Sequence, residues 1–231
     1  MEDGVFESLI QEDAGANKAR EDFLRNELRG YEEQLSALLD HTAPESWYNA
    51  RLVVSTNLVR SLGGFATLSK EWIRPLAKWI GNRKVLEILG GCGSLSKCLH
   101  DEGVDIRCTD TKSWATKPAT LFHRWQEEWF PVEALDAVSA VQKYGKDVDF
   151  VLMSWPFMDE TAFNVAKEIA KSNPNLRIIY IGEGEGDCCA SSSFFNAVVK
   201  NDDAEFVRIA KSYKTAFANM HDRLVLYDVC I

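Results

Sequence analysis

The feature that most constrains this chain is a short hydrophobic segment that runs directly into a glycine-rich turn. Between Lys84 and Leu99, a run of Val, Leu and Ile precedes Gly90, Gly91 and Gly93, and a segment of helical character follows. Glycine lacks a Cβ atom and tolerates positive φ, so such a turn lets the backbone approach another molecule closely. The segment predicts a buried strand, a tight turn and a helix, with a ligand site at the turn.

Strand and helix patterns alternate after this turn, as is typical of an open, mostly parallel sheet covered by helices. The pattern predicts strands at 85–89, 105–109, 148–154 and 177–182, and helices at 94–102, 134–144, 160–171 and 192–200. The end of a third strand is expected near 132–133. Two apolar runs, 205–210 and 223–230, are joined only by a loop, which predicts an antiparallel pair.

The residues before the first strand predict helices. Apolar side chains recur at helical spacing over 17–39 and again over 46–62, and Ser69 is a suitable N-cap for a helix that ends near 80. We therefore expect an N-terminal helical extension or cap over 1–66 and a main domain over 67–231. The amphipathic helix at 17–39 either covers its own core or pairs with another chain, so self-association is an open expectation.

Composition limits the partners of the chain. A formal net charge of -9 over 231 residues disfavours a large surface for naked nucleic acid, because phosphate binding needs clustered Lys and Arg. No apolar run approaches the roughly 20 residues of a membrane helix. The six cysteines lack the repeated Cys-x-x-Cys spacing of zinc sites, so no metal is expected. These features favour a cytoplasmic protein that does not bind membranes.

Three motifs resemble those of class I S-adenosylmethionine-dependent methyltransferases. They are Glu87-Ile-Leu-Gly-Gly-Cys-Gly93, Asp110 after the second predicted strand, and the sequence Ser-Trp-Pro-Phe at 154–157 after the fourth. The resemblance covers roughly 69–231 and implies S-adenosylmethionine as the cofactor and methyl transfer as the activity. It also implies an α/β fold, a Rossmann-like doubly wound sheet of seven mostly parallel strands with an antiparallel last strand.

The same resemblance implies cofactor-binding roles. The acid at the end of the first strand helps to hold the methionine ammonium group, and this role falls on Glu87. The glycine turn, here Gly90, Gly91 and Gly93, passes beneath the cofactor, and Asp110 accepts hydrogen bonds from the ribose hydroxyls. The sequence departs from the family at Leu89, which stands where the first glycine of the usual motif lies.

The adenine contacts implied by the resemblance come from the end of the third strand. This region contains Glu133 and, slightly later, Asp136. For Asp136 a second interpretation stays open, because a negative charge also suits the first turn of a helix.

The segment Ser154-Trp155-Pro156-Phe157 resembles the Asn/Asp-Pro-Pro-Tyr/Phe motif with which amino-methyltransferases hold a planar nitrogen. Ser154 offers a hydroxyl and a carbonyl as hydrogen-bond acceptors, and Trp155 and Phe157 offer aromatic surface for a flat acceptor or for the sulfonium. The motif favours nitrogen as the methyl acceptor. Alternatively, Pro156 ends the strand and the two aromatic residues are packing residues.

Three further residues are candidates for a substrate loop. Glu183 and Glu185 lie in a glycine-rich segment after the fifth predicted strand, and His221 precedes the last one. A carboxylate there can bind a cationic acceptor, and an imidazole titrates near neutral pH. A solvated connection and a structural turn histidine are the alternatives. The acceptor itself is expected to be a small molecule or a protein more than bare nucleic acid.

Two other functions remain open. Gly91-Cys-Gly-Ser-Leu-Ser96 approximates the Gly-x-Gly-x-x-Gly pattern of nicotinamide dinucleotide sites, with Ser96 in place of the last glycine. A methyltransferase-like scaffold that has lost catalysis and binds a partner through its N-terminal helices is the third hypothesis, which Leu89 and Ser154 permit.

Overall fold

The computed structural model of this chain describes residues 65–116, 128–214 and 221–231. The helices predicted at 17–39 and 46–62 lie outside these ranges, and the domain boundary at 66/67 stays a prediction. The described residues contain six α-helices: α1 (Lys70–Ile80), α2 (Ser94–Asp101), α3 (Ala137–Tyr144), α4 (Thr161–Ser172), α5 (Ser192–Asn196) and α6 (Ala204–Ala210).

The described residues also contain seven strands and one 3-10 turn. The strands are β1 (Lys84–Ile88), β2 (Asp105–Asp110), β3 (Val132–Ala134), β4 (Phe150–Ser154), β5 (Arg177–Gly182), β6 (Val198–Lys200) and β7 (Arg223–Val229), and the turn is Ser113–Thr116.

The strands form one sheet in the order β3-β2-β1-β4-β5-β7-β6. Neighbours from β3 to β5 are parallel, and β7 runs antiparallel to both β5 and β6. The predicted seven-stranded, Rossmann-like sheet with an antiparallel last strand is confirmed. Strand order reverses between β1 and β4, and in such sheets the crevice beyond the carboxyl ends at this point is where ligands bind.

Helices cover both faces of the sheet because the strands are apolar on both faces. One core, which we call the first core, lies under α1, α2 and α6, and its strand residues are Val85, Ile106, Phe150, Leu152, Ile179, Ile181, Leu224 and Leu226. The second core lies under α3, α4 and α5, and its buried strand residues are Leu86, Ile88, Val151, Met153, Ile178, Tyr180, Val198 and Tyr227.

The helix that leads into β1 is bounded as its sequence suggests. The Ser69 hydroxyl accepts a hydrogen bond from the Glu71 backbone N–H at 3.1 Å, and Gly81 ends α1 with a φ of 60°. The Gly81 N–H donates to the Ala77 carbonyl at 2.9 Å. The side chains of Trp72, Leu76 and Ile80 recur on one face and are buried, so α1 packs against the first core.

Two elements near the carboxyl terminus differ from the prediction. The helix expected over 192–200 ends at Asn196, and 198–200 form β6. The run at 205–210, predicted as a strand, is helix α6. Asp203 caps α6 by accepting a hydrogen bond from the Phe206 N–H at 2.8 Å, and Phe206 and Ile209, three residues apart, face the core. A run of six residues fits both the 3.6-residue repeat of a helix and the two-residue repeat of a strand. The N-cap hydrogen bond to Asp203 favours the helix.

The described residues hold all six cysteines, each as a free thiol. No group of three or more His, Cys, Asp or Glu side chains in this part of the chain is placed to hold a metal ion. Within the same residues, every helix is too short or too polar to cross a membrane.

We expect Phe150→Ala to lower the free energy of unfolding by about 3–5 kcal/mol, measured by urea denaturation. Phe150 is fully buried, with its ring 5.0 Å from that of Trp79 and with the Arg83 and Arg177 guanidinium groups 4.8 and 5.0 Å from it. Phe157→Ala is the matched control, because this ring is 68% exposed, and its effect should stay within about 0.5 kcal/mol. Equal losses in the two variants would contradict this account of the first core.

Candidate functional site

The polar side chains at the carboxyl edge of the sheet share one face. Glu87 is in register with Cys108 on β2 and with Leu152 on β4, and Ser154 is in register with Ile181 on β5. Because side chains alternate along a strand, Glu87, Cys108, Asp110 and Ser154 lie on the face of the first core. Glu87, Asp110 and Ser154, which the resemblance assigned to the site, therefore lie at the same edge of the sheet and on the same face.

The turn after β1 follows the predicted path. The Gly90 N–H donates to the Thr109 carbonyl at 3.0 Å, and the Gly93 N–H donates to the Gly90 carbonyl at 2.9 Å. Leu89, Gly91 and Gly93 have φ values of 56°, 57° and 77°. Leu89 thus adopts the left-handed conformation that glycine takes freely, at a cost of roughly 1–2 kcal/mol for an L side chain. The departure from the family motif is a strained position.

Two glycines of the turn are required by close packing. A Cβ atom on Gly90 would lie 2.3 Å from the Cys108 sulfur and 3.3 Å from Cδ of Glu87. A Cβ atom on Gly93 would lie 3.0 Å from Cβ of Phe130 and 3.1 Å from the Phe130 carbonyl oxygen. At these two positions the absent side chain makes room for the protein itself, and at Gly93 the neighbour is the segment that leads into β3.

Asp110 points toward the glycine turn. Its Oδ2 accepts a hydrogen bond from the Gly91 N–H at 3.0 Å, and its Oδ1 accepts one from the Lys112 N–H at 2.7 Å. Each oxygen of a carboxylate can accept further hydrogen bonds. The side chain is half-buried, so it is oriented by the backbone and keeps acceptor capacity at the edge of the sheet.

Glu87 is buried beneath the turn, with 1% of its surface exposed. Its Oε2 accepts a hydrogen bond from the Ser96 hydroxyl on α2. Burial raises the pKa of Glu87 to about 7, although hydrogen bonds from Ser96 and Cys108 lower it. The carboxyl group therefore supports the turn from below, where it joins β1, β2 and α2.

Glu128, which sequence reasoning missed, ties the next segment to the edge. Its Oε1 pairs with the Lys112 ammonium group at 2.6 Å, and its Oε2 accepts the Val132 N–H at 3.0 Å. The Lys112 hydrogen bond holds the pKa of Glu128 below its usual value. The neighbouring Trp129 N–H donates to the Cys92 carbonyl at 2.8 Å, which fastens this segment over the glycine turn. The Lys112–Glu128 ion pair could not be predicted from the sequence, because the two residues are 16 positions apart.

The two predicted adenine contacts already have protein partners. Glu133 accepts hydrogen bonds from the Lys143 ammonium group and the Tyr144 hydroxyl, each at 2.6 Å. It faces a cavity of about 590 Å³ toward the amino ends of β1, β2 and β3, where Arg107 also lies. Asp136 is the N-cap of α3 and accepts the Ser139 N–H at 3.0 Å. The capping interpretation of Asp136 describes its geometry, and an adenine role for either residue stays a prediction.

The segment at 154–157 divides into a packed half and an exposed half. Trp155 is half-buried, has a φ of 50°, and donates its backbone N–H to the Ile181 carbonyl at 2.7 Å. Its ring is 6.3 Å from that of Phe65. Pro156 is buried, whereas Phe157 and the next residue, Met158, are 68% and 66% exposed. Ser154, the last residue of β4, precedes both parts and is half-buried.

Glu183 and Glu185 have different environments. Glu183 is 3% exposed and accepts the backbone N–H groups of His221 at 2.9 Å and Cys188 at 3.1 Å. Burial acts to raise the pKa of Glu183, but these hydrogen bonds outweigh it and lower the pKa. Glu183 thus fastens its loop to the start of β7, while Glu185 and the side chain of His221 are exposed. A substrate role for the three residues stays a prediction.

A buried pair at the same edge escaped sequence reasoning. The Tyr213 hydroxyl donates to Oδ2 of Asp222, which directly precedes β7. Burial and then the Asp222 carboxylate raise the pKa of Tyr213 well above its usual value, so this hydroxyl stays protonated. The sequence pointed to Asp222 only indirectly, because it adjoins the candidate residue His221. No pattern in the sequence pointed to Tyr213.

Backbone strain is concentrated at this edge. Within the described residues, Leu89, Lys112, Trp155 and Ala190 are the non-glycine residues with positive φ, between 50° and 56°. They follow β1, β2, β4 and β5, respectively. Strained conformations of this kind tend to cluster at binding and catalytic sites.

Comparisons with known proteins find similarity among solved structures. No family model matches the chain, and no curated protein matches it. A mutant of MtNAS in complex with S-adenosylmethionine is 14% identical, with a TM-score of 0.43 over 95% of this chain and 80% of that one. A TehB-like SAM-dependent methyltransferase from Corynebacterium glutamicum is 13% identical, with a TM-score of 0.43 over 79% of this chain and 100% of that one.

A ribosomal protein L11 methylase from Lactobacillus delbrueckii subsp. bulgaricus is 11% identical to this chain. Its TM-score is 0.39, over 71% of this chain and 82% of that one. Identities this low do not carry an activity from those proteins to this chain, whose fold is established by its own strand order.

We expect the wild-type protein to lose stability relative to Glu87→Gln as the pH rises. The folded-state pKa of Glu87, about 7, exceeds the ordinary value of 4.5. The stabilising contribution of the protonated group is therefore complete below pH 4.5 and is lost as the pH rises to about 7. The difference should change by on the order of 3 kcal/mol, measured by urea denaturation from pH 4 to 8.

Glu185→Gln is the control for this pH series, because it removes an exposed carboxylate. A stability difference between the wild type and Glu87→Gln that stays constant over the same pH range would show that Glu87 ionises as freely as a surface carboxylate.

We expect Gly90→Ala to destabilise the fold by about 1–3 kcal/mol, because the new methyl group would overlap the Cys108 sulfur. Combining it with Cys108→Ala removes that sulfur, so the double variant should lose less stability than the sum of the single variants. Cys98→Ala, a thiol on α2, is the matched partner whose effect should add to that of Gly90→Ala. Full additivity with Cys108→Ala would argue against the close approach.

Proposed function

We propose that this chain binds S-adenosylmethionine across the carboxyl edge of its sheet and transfers the methyl group to a nitrogen nucleophile. The observation that carries the proposal is the orientation of Asp110 toward the Gly91 N–H, at the carboxyl ends of the strands beside the reversal of strand order. Nucleoside ligands bind at this place in doubly wound sheets. The resemblance of the motifs at 87–93, 110 and 154–157 supplies the identity of the nucleoside.

Asp110 is suited to a pair of neighbouring hydroxyl groups. Backbone N–H groups at positions 91 and 112 occupy one acceptor site on each oxygen and fix the plane of the carboxylate. The remaining lone pairs can accept two O–H donors from a ribose. Gly91 has a left-handed φ of 57°, and its N–H donates to this carboxylate, so the turn and the acid are fixed relative to each other.

Glu87 supports the site from beneath in this proposal. Its carboxyl group is enclosed by Ser96 and Cys108, so it fixes the turn on which the ligand rests. This role differs from direct binding of the methionine ammonium group, which is the role that the resemblance implies.

S-adenosylmethionine, when bound, supplies a methyl group on a positively charged sulfur. The task of the chain is then to hold a nucleophile in line with that group, and such positioning can account for about 7–11 kcal/mol of a barrier. Ser154 offers hydrogen-bond acceptors at the end of β4, and Trp155 provides aromatic surface next to it. A neutral amine attacks through its own lone pair, so no strong base is required.

We expect S-adenosylmethionine and S-adenosylhomocysteine to give binding heats in isothermal titration calorimetry. Asp110→Asn should weaken both by at least about tenfold, because it replaces a charged acceptor of ribose hydroxyls with a neutral amide. Asp105→Asn is the matched control at the opposite, exposed end of β2 and should leave the heats unchanged.

Three other outcomes would change the assignment. Heat from a nicotinamide dinucleotide in place of the two sulfur nucleosides would favour the dinucleotide hypothesis. Absence of heat from all of these ligands in a folded protein would favour the non-catalytic scaffold. Equal affinities of the wild type and Asp110→Asn would remove Asp110 from the proposed site.

A further inference from the structure

Asp110, which we propose as the ribose ligand, is joined to Glu128 through Lys112. Its Oδ2 accepts the Gly91 N–H at 3.0 Å, and its Oδ1 accepts the Lys112 N–H at 2.7 Å. The side chain of Lys112 continues the connection, because its ammonium group lies 2.6 Å from Oε1 of Glu128. The two oxygens of Asp110 are thus held by different segments. The glycine turn holds one, and a residue whose own side chain is tied to Glu128 holds the other.

Glu128 also connects this arrangement to the start of β3 and back to the glycine turn. Its second oxygen, Oε2, accepts the Val132 N–H at 3.0 Å. The adjacent Trp129 N–H donates to the Cys92 carbonyl at 2.8 Å. Because Cys92 belongs to the glycine turn, the interactions return to the turn from which they started and form a closed ring. Asp110 is one member of this ring.

Lys112 has a backbone conformation that residues with a side chain seldom adopt. Its φ is 54°, and its carbonyl accepts the Ala115 N–H at 2.9 Å in the 3-10 turn. The torsion φ sets the angle between the N–H group of a residue and its side chain. It therefore fixes how the ammonium group and the N–H that reaches Asp110 are placed relative to each other. A left-handed backbone costs free energy and persists where its surroundings hold it, and the ion pair with Glu128 is such a restraint.

The connections of this ion pair distinguish it from an ordinary surface pair. The side chains of Lys112 and Glu128 are 26% and 33% exposed, and pairs that are open to solvent contribute little to stability. Lys97 and Asp101 form a pair of the same length, 2.6 Å, but both belong to α2. The Lys112–Glu128 pair joins two separate segments, and one of its members donates to the carboxylate of the proposed site.

We propose that Lys112 and Glu128 are positioning residues for the cofactor, because their ion pair holds Asp110 in the orientation that receives the ribose hydroxyls. This inference rests on the proposed function. Neither side chain needs to touch the ligand, since Lys112 acts on Asp110 through its backbone N–H. A carboxylate whose plane is fixed before the ligand arrives loses less conformational freedom on binding, and the affinity is higher for that reason.

The experiment titrates S-adenosylhomocysteine into the full chain by calorimetry. We expect Glu128→Gln to weaken binding by about two- to tenfold. Glutamine keeps an oxygen for the Val132 N–H and removes only the charge that holds Lys112, so urea denaturation should show a preserved fold. Lys112→Met should weaken binding to the same extent. Lys112→Arg keeps a charged donor for Glu128 and should bind nearly as tightly as the wild type.

Two measurements separate positioning from a general loosening of the edge. The first uses the deoxyribose analogue of S-adenosylhomocysteine, which lacks one of the two ribose hydroxyls. The wild type should prefer the ribose form, and Glu128→Gln should reduce this preference. In the second, Glu128→Gln is added to Asp110→Asn and should weaken binding by a smaller factor than in the wild type, because Lys112 acts through that carboxylate. An unchanged preference, or full additivity of the two substitutions, would overturn the inference.

Asp101→Asn is the matched control, because it breaks the ion pair of equal length within α2. It should leave the affinities for both nucleosides unchanged. An equal loss of affinity in Asp101→Asn and Glu128→Gln would also overturn the inference, since it would show that the effect does not depend on the connection to Asp110.

The titration of the wild type separates the two proposals. If S-adenosylhomocysteine binds, and Asp110→Asn weakens it while Glu128→Gln does not, only the inference about Lys112 and Glu128 is wrong. If this nucleoside gives no heat with a folded protein, the proposed function is wrong, and the inference that rests on it is wrong too.

Discussion

The hydrogen bond between the Gly91 N–H and the Asp110 carboxylate joins the two strand ends on which the site depends. Parallel pairing of β1 and β2 brings the turn and the acid to the same height, and the Gly90 N–H reinforces the junction by donating to the Thr109 carbonyl. Because Gly91 adopts a left-handed φ of 57°, its N–H can turn toward Asp110. Any ligand bound at the strand reversal meets these groups as one rigid unit.

Around this junction the chain accepts unfavourable features that a merely structural edge would not need. Leu89 and Trp155 have left-handed backbones at the ends of β1 and β4, and Glu87 is buried with a pKa raised to about 7 by loss of water. Each left-handed residue costs stability, on the order of 1–3 kcal/mol. They persist because the two cores on either side of the sheet fix the strand ends, so these features lie at the edge of the sheet where we propose that the ligand binds.

The sequence predicted those parts of the fold that depend on local pattern. The hydrophobic repeat predicts the alternation of strands and helices, and residue preferences predict the turn at Gly91 and the N-cap at Ser69. The structure contains all three features. The apolar run at 205–210 was assigned wrongly, because six residues satisfy both the helix and the strand period and the capping role of Asp203 was overlooked.

Side-chain environments were less predictable, because they depend on partners far apart in the sequence. Glu183 belongs to an acidic, glycine-rich segment that suggests a solvated loop, yet it is buried and holds backbone N–H groups five and 38 residues away. Glu133 and Lys143 form their ion pair only because α3 folds back beside β3. The same limit concealed the Tyr213–Asp222 pair, whose geometry requires β7 to lie antiparallel beside β5.

The carboxylates at the edge differ in how completely the protein satisfies them, and this difference separates structural from binding roles. Glu183 has a backbone donor on each oxygen and is buried, so it has little left to offer a ligand. Asp110 also has a donor on each oxygen, but it is half-buried at the crevice and retains lone pairs. Asp222 has a donor on one oxygen only. A ligand needs an acceptor that is both accessible and has lone pairs left, which favours Asp110 over the two buried carboxylates as a binding group.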